Sequence, residues 1–398
     1  MAGSPSDPPA SGSLVRTKAA SPTRSKTASP TGPGSPQSGH EDETGEIEVD
    51  DEGLGSDTAS TIDSRWSSYT ASLSSSVVDY PTEHGRRYHA FRSGTYWELT
   101  PIHSKSESDR LDFNHMLMVK TIGEKLYLAP FEKGKINRVL DIGTGTGVWA
   151  LQVAEELPHA EILGNDLSAI QPTWVLPNVK FEIDDVESPW VHTRKFDFIF
   201  SRYMTSSIAD WPKLMRSVYE NVAPGGWVEF QDYDLEYRSD DGSLTEQHST
   251  WKWLHKFFEA CRIVGRDPNP GPQLEGWVRE AGDYVNVVHQ KYKIPIGDWP
   301  KDPHYKECGM INVMQILDGL DAFTFRLFTG VLGWTKEEVM VLLAEVRREL
   351  KSKTFHAYFE LIRLQPRGIC AEAGGRGMSI HRSYRLKILW KTVRDPRL

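Results

Sequence analysis

Val139-Leu-Asp-Ile-Gly-Thr-Gly-Thr-Gly147 decides the fold. An apolar run ends in Asp141, and three alternate glycines, Gly143, Gly145 and Gly147, follow before an apolar-periodic stretch begins. A strand that turns sharply into a helix needs residues tolerant of unusual φ/ψ, and a ligand can approach the main chain only where no Cβ intervenes. Backbone N–H groups at the start of the helix then face an anionic group. Trp149, Ala150, Val153, Ala154 and Leu157 recur at helical spacing, and Pro158 stops the helix. A dinucleotide fingerprint, G-x-G-x-x-G, would place its third glycine where Val148 stands. That pattern is absent.

Outward from this turn the chain keeps the same rhythm. Glu161-Ile-Leu-Gly-Asn-Asp166 reads as a short strand ending in an acid, with Asp166 19 residues past Gly147. That is close to the spacing of about 20 residues at which a carboxylate accepts ribose hydroxyls. Val179-Lys-Phe-Glu-Ile183 is a third strand leading into Asp184-Asp185-Val186, and Phe196-Asp-Phe-Ile-Phe200 is a fourth. Pro224-Gly-Gly-Trp-Val-Glu-Phe-Gln231 reads as a turn and a fifth. Between the last two, residues 207–222 form an amphipathic helix, capped by Asp210, with Pro212 in its first turn and Leu214, Met215, Val218 and Val222 inward. Strands alternating with helices, and acids at strand ends, predict an α/β fold with a doubly wound, mostly parallel seven-stranded sheet.

The chain resembles the fungal class I methyltransferases related to the secondary-metabolism regulator LaeA. The resemblance spans roughly residues 84–365. It rests on Gly85-Arg-Arg-Tyr-His-Ala90, Arg110-Leu-Asp112 with His115, Val139–Gly147, Asp166-Leu-Ser168 with Ile170-Gln-Pro-Thr-Trp174, Phe181-Glu-Ile-Asp-Asp185, Asp210-Trp-Pro212 and Pro224-Gly-Gly-Trp-Val-Glu229. The glycine turn and Pro-Gly-Gly are common to many methyltransferases, whereas Ser-x-Ile-Gln-Pro-x-Trp and Arg-Tyr-His-Ala are more particular to this family. The resemblance implies a Rossmann-like class I methyltransferase fold, S-adenosyl-L-methionine as cofactor, and methyl transfer as the reaction. On it, Gly143, Gly145 and Gly147 admit the cofactor against the backbone and Asp141 braces the turn. Asp166 binds the ribose, and Asp185 and Val186 frame the adenine, with Asp184 an alternative to Asp185. Ser201, Arg202 and Tyr203, just past the fourth strand, line the space near the methyl group. Related enzymes use the helix around Arg110–Val119 as a lid, which puts His115 either against substrate or in ordinary packing.

Composition divides the chain. Residues 1–83 are dominated by Ser, Pro, Gly and Thr and are expected to be disordered, since they cannot bury enough apolar surface to offset ordering entropy. The leader's Ser4-Pro5, Ser21-Pro22, Ser29-Pro30 and Ser35-Pro36 read as a spacer or as sites for proline-directed kinases. Residues 41–57 hold nine acids and no base, a solvated linker or, through Ile47-Glu-Val49, a strand for a partner's sheet edge. Residues 84–365 form the methyltransferase domain: a lid region at 84–135, a cofactor-binding core at 136–235, and helical acceptor-side inserts with the sixth strand at 236–353. The sixth strand is Val285-Asn-Val-Val-His289 and the last starts at Phe355. From Pro366 to Leu398 the family pattern fails, and a basic tail with 8 basic and 2 acidic residues remains.

Several function classes are disfavoured. Net charge is −9, of which −6 sits in the first 57 residues (4 basic, 10 acidic), so no DNA-binding surface is evident. Cys261, Cys308 and Cys370 are scattered, which predicts neither disulfides nor a metal site and suits an intracellular protein, cytoplasmic or nuclear. The longest apolar runs, such as Val339-Met-Val-Leu-Leu-Ala344, are too short to span a membrane. The exit of the fourth strand lacks the Asn/Asp-Pro-Pro-aromatic clamp used on amide or exocyclic nitrogens, and no Pro-Cys pair offers a nucleophile for cytosine. No Tyr-x-x-x-Lys pair follows that strand, which further disfavours a nicotinamide dehydrogenase. No general base is evident. The methyl acceptor is a small molecule or a protein. The second reading is a cofactor-binding nuclear regulator that acts through a protein complex.

Overall fold

The computed structural model describes residues 45–49, 82–83, 86–87 and 105–368. The Ser-Pro pairs of the leader, residues 88–90, Cys370 and the tail beyond Gly368 lie outside these. A two-stranded antiparallel ribbon, β1 (Thr82–Glu83) with β2 (Arg86–Arg87), precedes α1 (Lys105–Thr121). The sheet strands are β3 (Arg138–Ile142), β4 (Glu161–Asp166), β5 (Val179–Ile183), β6 (Phe196–Arg202), β7 (Val222–Arg238), β8 (Val285–Ile296) and β9 (Ala357–Arg367). Between them run α2 (Val148–Glu156), α3 (Trp211–Asn221), α4 (Ser249–Ile263), α5 (Leu274–Ala281), α6 (Pro303–Gly330) and α7 (Lys336–Lys351).

The strands form one seven-stranded sheet ordered β5-β4-β3-β6-β7-β9-β8. Pairing is parallel from β5 to β7, and β9 runs antiparallel to both β7 and β8. The sequence moves outward from β3 to β5, then returns to the other side of β3 with β6. That reversal opens a crevice at the carboxyl ends of β3 and β6, where open α/β sheets bind their ligands.

Three apolar clusters hold the layers together. On one face α2 packs Trp149, Ala150, Val153 and Ala154 against Val139, Ile162, Phe198 and Phe200. Trp149 stacks on Phe200 with centroids 3.9 Å apart. The other face carries α3 and α5, with Leu214, Met215, Val218, Leu274 and Val278 over Leu140, Ile199 and Val228. As its sequence indicates, α3 is capped by Asp210, whose side chain accepts from Lys213 N at 2.9 Å.

The third cluster lies over the far ends of β7, β8 and β9, where α1, α4, α6 and α7 bury Leu117, Trp253, Phe257, Leu320, Phe328, Leu343 and Val346. Of these, α4, α6 and α7 are the expected inserts after the fifth strand, whereas α1 belongs to the segment that precedes the sheet. Both β7 and β8 outrun the lengths expected from sequence, and their extensions form the floor of this cluster. No helix among the described residues is long and apolar enough to cross a membrane. In the acidic segment Val49 bridges Pro300, and the Glu48 carbonyl accepts from Lys301 N at 2.8 Å. Ile47 is buried. Residues 47–49 are therefore held against their own chain, not added to a partner.

Candidate functional site

The glycine turn is built by its neighbours as much as by its own residues. Gly145 and Gly147 have φ of +57° and +81°, in the left-handed region. A Cβ on Gly147 would fall 2.4 Å from Cζ of Phe181, so this glycine lets β5 close over the turn. On Gly145 an added Cβ would meet only Leu111 Cδ1, at 3.8 Å. Its main chain is the bare surface that faces the cavity. Asp141 Oδ2 accepts from Thr144 Oγ1 at 2.6 Å. Burial pushes Asp141 up to about 7, against the pull of Thr144 and the Arg202 cation.

Asp166, at the end of β4, accepts from Gly145 N through Oδ2 and from Ser168 N through Oδ1, both at 2.9 Å. Its carboxylate is thus fixed at the cavity edge. Gln171 Nε2 donates to the carbonyls of Gly145 (2.6 Å) and Ser168 (2.9 Å). The family-specific stretch after Asp166 is therefore a brace for the turn, a role that the sequence alone did not assign. Trp174 in the same stretch is 92% exposed.

Across the crevice Asp185 accepts from Glu187 N at 2.9 Å and from Ser188 Oγ at 3.2 Å, while Asp184 accepts from Asp185 N at 2.9 Å. Both acids and Val186 line the cavity, as do Gly143, Gly145, Asp166, Arg202, His115 and Tyr203. Asp141, Gly147 and Ser201 stand behind the wall: Asp141 and Ser201 are buried at the ends of β3 and β6, and Gly147 caps α2.

His115 is where geometry most sharply limits chemistry. Its Nε2 lies 2.8 Å from Gln152 Oε1 and its Nδ1 lies 2.6 Å from Arg202 Nη2. Gln152 Oε1 can only accept and Arg202 can only donate, so the ring is the neutral Nε2–H tautomer with Nδ1 as acceptor. Burial first, and then the Arg202 cation, lower its pKa to about 3. Both ring nitrogens are committed, Nε2 to Gln152 and Nδ1 to Arg202. Arg202, lowered by burial to about 10, keeps Nη1 buried without a hydrogen-bond partner among the described residues.

The other half of the cavity is aromatic: Tyr237, Trp253, Phe257, Phe323 and Phe359 line it, with Gln315 among them. These residues come from β7, α4, α6 and β9, whose contribution to the site was invisible in the sequence except as aromatic-rich inserts. Trp253 and Phe257 are four apart on α4, which puts them on one face. The loop after β6 joins the halves. Tyr203 sits at φ +55°, and Asp232 holds the loop by accepting from Met204 N (2.8 Å) and Thr205 Oγ1. Burial raises Asp232 to about 6.

Bare backbone at Gly145, a carboxylate fixed beside it and an unpartnered buried guanidinium nitrogen suit a nucleoside bearing an anionic amino-acid end. With the strand order, they define a Rossmann-like class I methyltransferase. The methyltransferase-domain family profile matches residues 115–285. The chain is 44% identical to methyltransferase pytC of Aspergillus terreus over 320 residues, 80% of this chain and 94% of that one. It is 34% identical to the secondary metabolism regulator LAE1 of Cochliobolus heterostrophus, covering 69% and 91%, and 33% identical to laeA of Monascus pilosus, covering 73% and 81%. The chain belongs to this LaeA-like family of fungal S-adenosylmethionine-dependent methyltransferases associated with secondary metabolism.

Proposed function

We propose that the polar half of the cavity holds S-adenosylmethionine and that the aromatic half holds a small-molecule methyl acceptor. The observation that carries this reading is the continuity of the two halves under one roof, with α1, α4 and α6 over a crevice at the ends of β3 and β6. The lining of the aromatic half suits a compact apolar molecule. Gly145 meets the cofactor through its bare backbone, Asp166 takes the ribose hydroxyls, and Asp185 with Val186 borders the adenine. Gly143 shares the cavity edge, with Asp141, Gly147 and Ser201 supporting from behind. Arg202 Nη1 offers its donor to the cofactor carboxylate, and His115 fixes the guanidinium by accepting from Nη2. Tyr203 lies where the halves meet.

When bound, the cofactor supplies a methyl group on a sulfonium, already activated for displacement. The chain's part is to hold the acceptor in line and to exclude water, which together can contribute several kcal/mol. His115 and Asp232 are spent on positioning, so neither is assigned as a base.

The names of the LAE1 and laeA relatives, secondary metabolism regulators, favour a second reading, a regulator; we take it as one that binds the cofactor and works in the nucleus through partner proteins. Buried, unpaired Cys261 and Cys308 support a reducing compartment, cytoplasmic or nuclear. Calorimetric titration with S-adenosylmethionine and with NAD tests the cofactor assignment. The first binds, the second does not, and Asp166→Ala weakens binding at least about tenfold, the worth of a hydrogen bond to a charged group. Binding of NAD, or an unchanged affinity in the variant, overturns it. Radiolabelled methyl transfer into extract fractions separates the readings: label in small molecules supports a tailoring enzyme, and label in protein or none supports the regulator.

A further inference from the structure

Gln315 is a polar side chain that the aromatic chamber does not need for packing. It lies on α6 at the cavity wall and is 4% exposed. Its Nε2 donates to Asn312 Oδ1 at 3.1 Å, and Asn312 Nδ2 donates to the Pro295 carbonyl at 2.8 Å. Each link fixes the next. The Pro295 carbonyl can only accept, so Asn312 turns its NH2 toward it and its oxygen toward Gln315. That oxygen also only accepts, so Gln315 presents Nε2 to it and directs Oε1 elsewhere. Oε1 is buried and has no hydrogen-bond partner among the described residues. The nearby indole N–H of Trp253 is already given to Thr324 Oγ1 at 2.8 Å. A buried amide oxygen held in a fixed direction without a donor is costly unless something arrives to satisfy it.

We propose that Gln315 Oε1 is the specificity-determining acceptor of the chamber, and that the substrate is a compact aromatic molecule presenting a hydroxyl or N–H donor to it. The walls account for the ring: Trp253, Phe257, Phe323 and Phe359 offer stacking and edge contacts. The neutral amide accounts for the donor, since a substrate acceptor atom placed against Oε1 would leave both acceptors unsatisfied. A molecule lacking the donor leaves Oε1 unsatisfied, the arrangement by which a polar pocket rejects an otherwise similar analogue. The inference rests on reading this half of the cavity as the acceptor site.

The test uses the full chain saturated with S-adenosylhomocysteine and follows tryptophan fluorescence as β-naphthol or its methyl ether is added. The two share the same rings, and only the naphthol donates. Wild type is expected to hold the naphthol roughly two- to tenfold tighter, the range of one net hydrogen bond. In Gln315→Leu the ratio falls to about one, through weaker naphthol binding, while the calorimetric affinity for S-adenosylmethionine stays at its wild-type value. If that affinity is lost in the variant, Gln315→Met is read in its place. A wild-type ratio of one, no binding of either probe, or a ratio that survives the substitution overturns the assignment. Failure of wild type to bind S-adenosylmethionine would instead sink the reading of the pocket.

Discussion

The neutral state of His115 has a measurable price in acid. Free histidine titrates near 6.5, whereas burial and the Arg202 cation hold His115 at about 3 in the folded chain. Between those values the unfolded chain binds a proton that the folded chain refuses. This group's contribution to stability is therefore complete above about pH 6.5, falls as pH drops through 6.5, and goes on falling until about 3. At pH 5.0 the loss is about 1.5 pH units at ~1.36 kcal/mol each, or ~2 kcal/mol relative to pH 7.5. Two buried acids work the other way. Asp141, raised to about 7, and Asp232, raised to about 6, bind protons more readily when folded and so gain stability on acidification. A single acid-unfolding curve would mix all three.

Comparison with His115→Asn isolates the histidine, because the variant keeps both carboxylates and its own Oδ1 can accept from Arg202 Nη2. Urea unfolding at pH 7.5 and 5.0, followed by tryptophan fluorescence, should show the gap between wild type and variant shifting by ~2 kcal/mol in the variant's favour at the lower pH. A gap that does not move, or a His115 ring proton that titrates near 6.5 by NMR, refutes the committed-tautomer assignment.

The glycines of the turn should separate into two behaviours. Gly147→Ala meets Phe181 at 2.4 Å with φ at +81°, so thermal unfolding should show a loss of about 2–4 kcal/mol from backbone strain plus ring displacement. Gly145→Ala meets only Leu111 at 3.8 Å, so calorimetry should show the larger effect in weakened S-adenosylmethionine binding, with a stability loss of only ~1 kcal/mol. At the start of α7, Thr335 and Glu338 form a reciprocal capping box. Thr335→Ala should cost ~1 kcal/mol in unfolding experiments and leave cofactor affinity unchanged.

The legible part of this protein is local. Asp141, the three glycines and the periodic apolar face of α2 lie within one strand-turn-helix, and Asp166 follows at a spacing set by a single crossover. Asp210 and Pro212 mark the start of α3 in the same way. What escaped was held by distant partners. The sequence reading ends the fifth strand at Gln231, yet β7 runs on to Arg238. The Asp232 carboxylate is occupied by Met204 and Thr205, and Asp234 by Arg238 and Asn269. Asn312 and Gln315, three apart on α6, broke the apolar pattern and could have flagged a polar wall. Only the three-dimensional structure shows that Pro295 fixes which way their amides point.

The helix α1 touches both the polar and the aromatic half of the cavity. Toward the polar half, Asp112 accepts from Thr146 Oγ1 at 2.7 Å, while His115 joins Gln152 on α2 to Arg202 on β6. Toward the aromatic half, Asn114 Oδ1 accepts from Tyr233 OH at 2.7 Å, and Arg110, only 1% exposed, lies 5.0 Å from the Phe323 ring centroid. Gly319 makes room for that pair, since a Cβ there would fall 2.4 Å from the Phe323 ring and 3.0 Å from Arg110 Cδ. One helix therefore carries, within two turns, contacts to the glycine turn, to Arg202 and to the aromatic wall. Displacing it would loosen both halves and admit water to the space between them, which on the proposed function is where methyl donor and acceptor meet. The sheet edge supplies the floor of the crevice, and α1 is the one helix whose described contacts reach both halves.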